Sequence, residues 1–466
     1  MHSSTIQFHP RRPRSRLAPL GELLRRHRRM VLGLQWVVVL VYAFLLIAPV
    51  FQPLPDETAH VWNNLTVLAQ FAFWGLWWPF VLVSMVAMGR VWCGVLCPEG
   101  ALTEFASRWS LNRPIPRWLR WGGWPFVAFA LTTIYGQLVS VYQYPLAVLL
   151  VLGGSTVGAV VIGLLYTREK RVWCRYMCPV NGVFGLLAKL APMHYKADEA
   201  AWHDSMGHGR VAAVNCAPLL PLRSLDSASD CHSCGRCSGH RGAIQLEGRA
   251  PNAEIVERGA RDGSNWQSAL LIFGMIGLAM GAFEWSASPW LIAVKQTIAE
   301  WLVNRDIYWP LATNAPWFIL THYPDNNDVF SWLDGALLLG YMLGSMLLVG
   351  GVLASFVALA AAALRAGRRG FNHLALALVP LAGGGVFLGL SATTVTLLKG
   401  EGVPLYWVSP TRAVLLSAVT LWSLQLAWRI TAQYATTLPR RSLAWLLFAA
   451  GCLLVDGGWA LWFWIW

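Results

Sequence analysis

The sequence predicts an all-α polytopic membrane protein of about nine transmembrane helices, with one small polar, cysteine-rich insertion. Three observations predict it. Apolar runs near 20 residues recur along the 466-residue chain, each long enough to cross a hydrocarbon core of about 30 Å as a helix. The chain is 56% hydrophobic and only 13% charged, with a mean hydropathy of +0.48. Eight of the nine cysteines fall in tight groups beside basic segments, while Cys452 stands alone in an apolar run.

Nine runs are expected to span: 30–52, 66–89, 120–140, 145–166, 266–286, 334–364, 373–397, 412–433 and 444–464. The run 334–364 exceeds a bilayer's thickness and is expected to tilt or extend beyond it. The first run follows Arg11, Arg12, Arg14, Arg16, Arg25, Arg26, Arg28 and Arg29. It is too long for the apolar core of a cleaved signal, and no small-residue cleavage site follows, so it reads as a retained first span.

Loop charge sets the orientation. The segment 53–65 has no Lys or Arg but holds Asp56 and Glu57, and 141–144 is uncharged. The stretch 287–333 carries only Lys295 and Arg305 against several acids, and 398–411 has only Lys399. These read as outside. The inside segments hold Arg90, Arg108, Arg113 and Arg117; Arg168, Lys170, Arg171 and Arg175; Arg365, Arg368 and Arg369; and Arg429, Arg440 and Arg441. The N-terminus is expected inside, the C-terminus outside, and every cysteine group on the cytoplasmic side. There thiols stay reduced, so metal ligation is favoured over disulfides. The net charge of +13 lies in loops between spans, which gives no reason to expect a nucleic-acid partner.

The expected organisation is a basic N-terminus (1–29), a four-helix membrane unit (30–192), a cytoplasmic insertion (193–264) and a five-helix unit (265–466) with a Trp-rich external loop. Most of the 27 tryptophans flank spans, as interfacial anchors do.

The chemistry is concentrated in a repeat. Arg90-Val91-Trp92-Cys93-Gly94-Val95-Leu96-Cys97-Pro98 and Arg171-Val172-Trp173-Cys174-Arg175-Tyr176-Met177-Cys178-Pro179 both read R-V-W-C-x-x-x-C-P. Each follows an apolar run and precedes a short amphipathic segment, 99–109 or 181–191. Two helix pairs entering the membrane the same way are expected to relate by an axis along its normal. That symmetry brings Cys93, Cys97, Cys174 and Cys178 toward one point, and four thiolates are the usual ligand set of a [4Fe–4S] cluster. A proline after each second cysteine suits the start of a helix, whose positive end faces an anionic cluster. Arg90, Arg171 and Arg175 lie close enough in sequence to offset the same charge.

In the insertion, Cys231-x-x-Cys234-x-x-Cys237 matches the first three ligands of a ferredoxin run. Arg241 stands where the fourth cysteine would be, and no proline follows. Cys216 is the nearest spare thiol and the expected fourth ligand. His232, His240 and a three-cysteine cluster are alternatives, and a zinc site is the competing structural reading. A short strand is expected after Gly242-Ala243-Ile244.

Two C-x-x-x-C-P motifs at the ends of membrane helices, followed by this segment, resemble the NapH/NosR/CcoG-type membrane polyferredoxins over about residues 30–250. The resemblance implies a small ferredoxin-like insertion, 4Fe–4S binding and electron transfer at the bacterial cytoplasmic (inner) membrane. Its carry-over is confined to Cys93, Cys97, Cys174, Cys178, Cys216, Cys231, Cys234 and Cys237, as two [4Fe–4S] clusters. The chain departs from the type in having one incomplete ferredoxin run where two complete ones are usual. No flavin-binding domain is expected ahead of the spans.

His2, His9, His27, His60, His194, His203, His208, His232, His240, His322 and His373 all lie away from mid-membrane, so no bis-His haem is expected. Asp456 lies inside the last span and is a functional candidate by depth, with a helix break at Gly457-Gly458 as the rival reading. Gly383, Gly384 and Gly385 read as helix packing. No catalytic residue is assigned. The leading reading is an electron-transfer component of an oxidoreductase system, working between a quinone pool or partner reductase and a redox acceptor. The alternative is a copper- or metal-handling protein, or an assembly or regulatory protein for another oxidoreductase.

Overall fold

The computed structural model describes residues 14–56, 58–207 and 211–466. His2, His9, Arg11, Arg12, Glu57 and His208, named above, lie outside the described residues. Among the described residues, eight helices of 21 to 34 residues are long and apolar enough to cross a membrane: Arg28–Phe51, Leu65–Met88, Pro145–Leu165, Asn265–Ala287, Trp332–Ala363, Gly367–Gly400, Val408–Tyr434 and Leu438–Ile465.

The expected span 120–140 is shorter than its apolar run. It forms the 15-residue helix Trp124–Leu138, about 22 Å long at 1.5 Å per residue. Gly123 and Pro125 delay its start, and Ser140, at φ 51°, turns the chain just past its end. Arg365 and Gly367, at φ 55° and 56°, separate the 32-residue helix Trp332–Ala363 from the next. The last long helix runs through Gly457 and Gly458 without a break, so the rival reading at Asp456 is corrected. The Asp456 carboxylate instead accepts a hydrogen bond from Thr420 Oγ1 at 2.8 Å.

The chain forms two compact units. One comprises residues 14–43, 81–122 and 155–254, the other 44–80, 123–154 and 255–466.

The second unit is helical, and small residues let its helices touch. A Cβ on Gly277 would lie 2.9 Å from the Met346 carbonyl oxygen, and one on Gly385 2.8 Å from the Trp459 ring. Close backbone approach of this kind is how helices associate in lipid. His373, near the start of Gly367–Gly400, is fully buried. Its ring contacts the Tyr434 hydroxyl at 3.0 Å and the Ile255 carbonyl at 2.9 Å.

The first unit holds both copies of the cysteine repeat and residues 193–254 of the insertion expected over 193–264. In the insertion, β1 (Met193–Ala197) pairs antiparallel with β2 (Ile244–Gly248), with Met193 opposite Gly248 and Ala197 opposite Ile244. The second strand follows Gly242-Ala243 as expected; its partner and the helix Glu199–Met206 were not anticipated. Alternation buries Tyr195, Ala197, Ile244 and Leu246 on one face, against Leu225, Cys231 and Cys237. Glu254 fastens the insertion's end. It is 3% exposed and is bonded by Ser227, the Ala228 N–H and Arg249. Lys189 and Arg249 outweigh burial and hold its carboxyl below the usual range.

Candidate iron–sulfur centre

The two copies of the repeat fold alike. Gly89, left-handed at φ +65°, ends the helix Leu65–Met88. Arg90 caps the short helix Val91–Val95, and Arg171 caps Val172–Tyr176. In the first copy the Trp92 carbonyl accepts from both Leu96 N and Cys97 N, each at 2.9 Å. In the second, the Trp173 carbonyl accepts from Met177 N at 2.9 Å and Cys178 N at 3.0 Å. Five helical residues ending two residues before the second cysteine fit a following proline, because it disfavours helix at the residue before it.

The copies differ downstream. Cys97 is extended, and its thiol accepts from Gly100 N at 3.4 Å as the N-cap of Pro98–Ala106. In the second copy the helix starts at Asn181, two residues after Pro179. The Asn181 N–H there bonds the Cys178 carbonyl at 3.0 Å.

The four thiols of the repeat feel one another. Cys93 and Cys174 are each 7% exposed. Burial first, then Cys174 and Cys93, push the Cys97 thiol well up. Burial, with Glu99, Cys174 and Cys97, does the same to Cys178. Cys174 is pushed up to about 12, mainly by burial. Cys97, Cys174 and Cys178 thus resist ionising, and their thiolates need positive charge beside them, which the irons of a cluster supply.

In the insertion, Cys216, Cys231, Cys234 and Cys237 line one cavity with Tyr195 and His232. Ser233 at φ 47° and Gly235 at φ +76° bend the loop so that its cysteines turn inward. The His232 imidazole is pushed down by burial and by Arg90, Arg171 and other arginines. His240 does not line this cavity; its ring meets Trp202 edge-on at 5.5 Å. Arg241, at the position of the missing fourth cysteine, donates to Ser205 Oγ at 3.2 Å and lies over the Trp202 ring.

The two cysteine sets are neighbours. A Cβ on Gly94 would lie 2.1 Å from the His232 carbonyl oxygen and 3.0 Å from Cys234 Cα, so only glycine lets the two loops approach this closely. Arg171, 1% exposed, donates from Nη1 to the Cys93 carbonyl at 2.5 Å and from Nε to Glu104 at 2.8 Å. Arg236 reaches the other Glu104 oxygen at 2.5 Å. Burial would raise the Glu104 carboxyl, but Arg171 and Arg236 outweigh it and hold it below the usual range. Arg90, 2% exposed, donates to the Ser229 carbonyl at 2.9 Å and to Asn181 Oδ1 at 2.7 Å. Arg171 lies in the fields of Cys174 and Cys234, and Arg90 in those of Cys93 and Cys178. Each buried guanidinium therefore lies in the field of cysteines whose thiolate forms would otherwise leave the site strongly negative.

Among the described residues, no three His, Cys, Asp or Glu side chains close on one point as ligands of a single ion would. Thiolates of a four-iron cluster each hold a different iron, so they stand farther apart than four ligands of one zinc at about 2.3 Å.

Reading the sequence missed Glu99, Glu104 and Arg236. Glu99 accepts from Trp173 Nε1 at 3.1 Å, and burial raises its carboxyl. The available signal was two carboxylates within seven residues of Cys97 in an otherwise apolar segment.

Fold and site together define a polytopic helical membrane protein built around a duplicated iron–sulfur motif. The 4Fe-4S binding domain family matches residues 70–116 and 149–196, one copy of the motif in each. The match is confined to these two segments. It is similar to the Escherichia coli (strain K12) protein named "Putative electron transport protein YccM", at 23% identity over 45% of this chain and 65% of the relative. It is 31% identical to the methylamine utilization ferredoxin-type protein MauN of Methylorubrum extorquens, over 23% of this chain and 42% of the relative. Against the ferredoxin-type protein NapH of Haemophilus influenzae it is 27% identical, over 34% and 61%. The chain thus spans less than two thirds of the length of each. No solved structure matches it.

Proposed function

We propose that this protein is a membrane-bound electron-transfer protein holding two [4Fe–4S] clusters. Cys93, Cys97, Cys174 and Cys178 would hold one, and Cys216, Cys231, Cys234 and Cys237 the other. The observation that carries the reading is the adjacency of two four-cysteine sets, packed loop to loop at Gly94 and Cys234. Bound there, such clusters supply one-electron chemistry. The chain's own residues bury the thiols, exclude water and set charge beside them through Arg90 and Arg171. Low exposure and fixed guanidinium charge are the levers by which a protein tunes such a centre. Electrons would pass between a quinone pool or partner reductase and a redox acceptor; the relatives named for electron transport and as ferredoxin-type proteins support this direction.

The decisive measurement is metal and sulfide content of the full chain purified anaerobically. About eight irons and eight sulfides per chain are expected from two four-iron clusters, with a broad absorption near 400 nm that dithionite bleaches. Stoichiometric zinc or copper without sulfide would sink the reading.

Both sets are proposed to face the cytoplasm of a bacterial inner membrane, with the N-terminus inside and the C-terminus outside. Reporter fusions after residues 55, 110, 220, 310 and 405 are expected to read out, in, in, out and out. The fusion at 220 also tests whether the 15-residue helix Trp124–Leu138 crosses the bilayer. An outside signal at 110 or 220 would overturn the placement.

A further inference from the structure

A second cavity, of ≈ 360 Å³, lies beside the insertion's cysteines. Arg25, Arg28 and Arg236 line it together with Cys234 and the apolar Leu24 and Leu32, and no Asp or Glu does. Its size is that of a small-molecule site. Arg236 is 10% exposed and spends one terminal nitrogen on Glu104. Its Nη1 is buried and has no hydrogen-bond partner. Arg25 and Arg28 make no ion pair among the described residues. Three arginines, one with a buried and unused N–H, therefore line a cavity that no carboxylate lines.

Position decides the kind of anion. Arg28 opens the membrane helix Arg28–Phe51, so the cavity spans the level where head groups end and acyl chains begin. Its wall changes from arginine to leucine and valine along that helix, with Val31 and Leu32 one turn inward. A guanidinium fork matches a phosphate's oxygens two at a time. We propose that this cavity is a phosphate-binding site that takes the head group of an anionic phospholipid, next to Cys234. It requires no cluster to be bound, so it stands apart from the proposed electron transfer.

The test is binding of dioleoylphosphatidylglycerol, dioleoylphosphatidylcholine and inorganic phosphate to the delipidated full chain, read by native mass spectrometry and phosphorus analysis. One phosphatidylglycerol per chain is expected to be retained in preference to phosphatidylcholine. Arg25→Gln with Arg28→Gln should weaken it roughly 30-fold, while Arg25→Lys with Arg28→Lys retains most of it. Unchanged gel filtration and iron content identify a folded variant; if the Gln pair fails that control, Arg25→Gln alone, at an exposed position, decides. Equal binding of the two lipids, or an unweakened Gln variant, would overturn the proposal. Tight binding of inorganic phosphate that displaces the lipid would overturn the lipid source and leave a free-phosphate site.

Discussion

Cys174→Ser is expected to remove about four of eight irons, because a four-iron cluster with a lost thiolate is poorly held. The other cluster's EPR signal should survive. Cys216→Ser should do the reverse. The partition is expected from the fields the thiols exert: Cys97 feels Cys174 and Cys93, Cys174 feels Cys93, and Cys178 feels Cys174 and Cys97. Cys216, Cys231, Cys234 and Cys237 share a different cavity. Cys216 is the critical test, since His232 lines the same cavity. If Cys216→Ser leaves iron content and both signals unchanged, the fourth ligand is His232, a cysteine of the repeat or solvent, and the assignment fails. Quantitative iron analysis with EPR of each dithionite-reduced variant reads the outcome.

Arg171→Ala should act differently, lowering both signals together and destabilising the fold. Removing this side chain takes one of the two guanidinium groups from the buried Glu104 and leaves it to Arg236 alone. A fully unpaired buried charge costs about 3–5 kcal/mol, and losing one of two partners is expected to cost part of that. It also releases the Cys93 carbonyl, held by the same guanidinium. Arg171→Lys keeps the charge but loses the planar fork that serves two acceptors at once, so an intermediate loss is expected. Thermal unfolding followed by gel filtration, with iron content on the same samples, checks both. Loss of only one EPR signal in Arg171→Ala, or an unchanged melting temperature, would refute a shared structural role.

Much of this architecture was legible because its signals are local. A span is announced by its own composition, and eight of the nine expected runs are long apolar helices. The run 120–140 shows the limit of that reading. Its apolar residues suffice, but Gly123, Pro125 and the left-handed Ser140 shorten the helix, and hydropathy does not weigh backbone conformation. At Asp456, the flanking glycines made a break the rival reading, whereas the helix runs on whole and Thr420 donates to the carboxylate.

The sequence by itself determined the duplicated motif, its proline-set turn, the three-cysteine loop and the membrane class. Each depends on residues within about twenty positions, where composition and spacing dictate local structure. Only the tertiary structure decided that Cys216 lines the cavity of Cys231, Cys234 and Cys237. Only it decided that Gly94 touches the Cys234 loop, and that Glu104 is shared by Arg171 and Arg236. Those contacts join segments up to 140 residues apart, Gly94 to Cys234. The physical reason is that spacing along a chain fixes neighbours within a turn or two of helix. Which distant segments meet depends on the packing of whole elements, and so does which buried charges must then be paired.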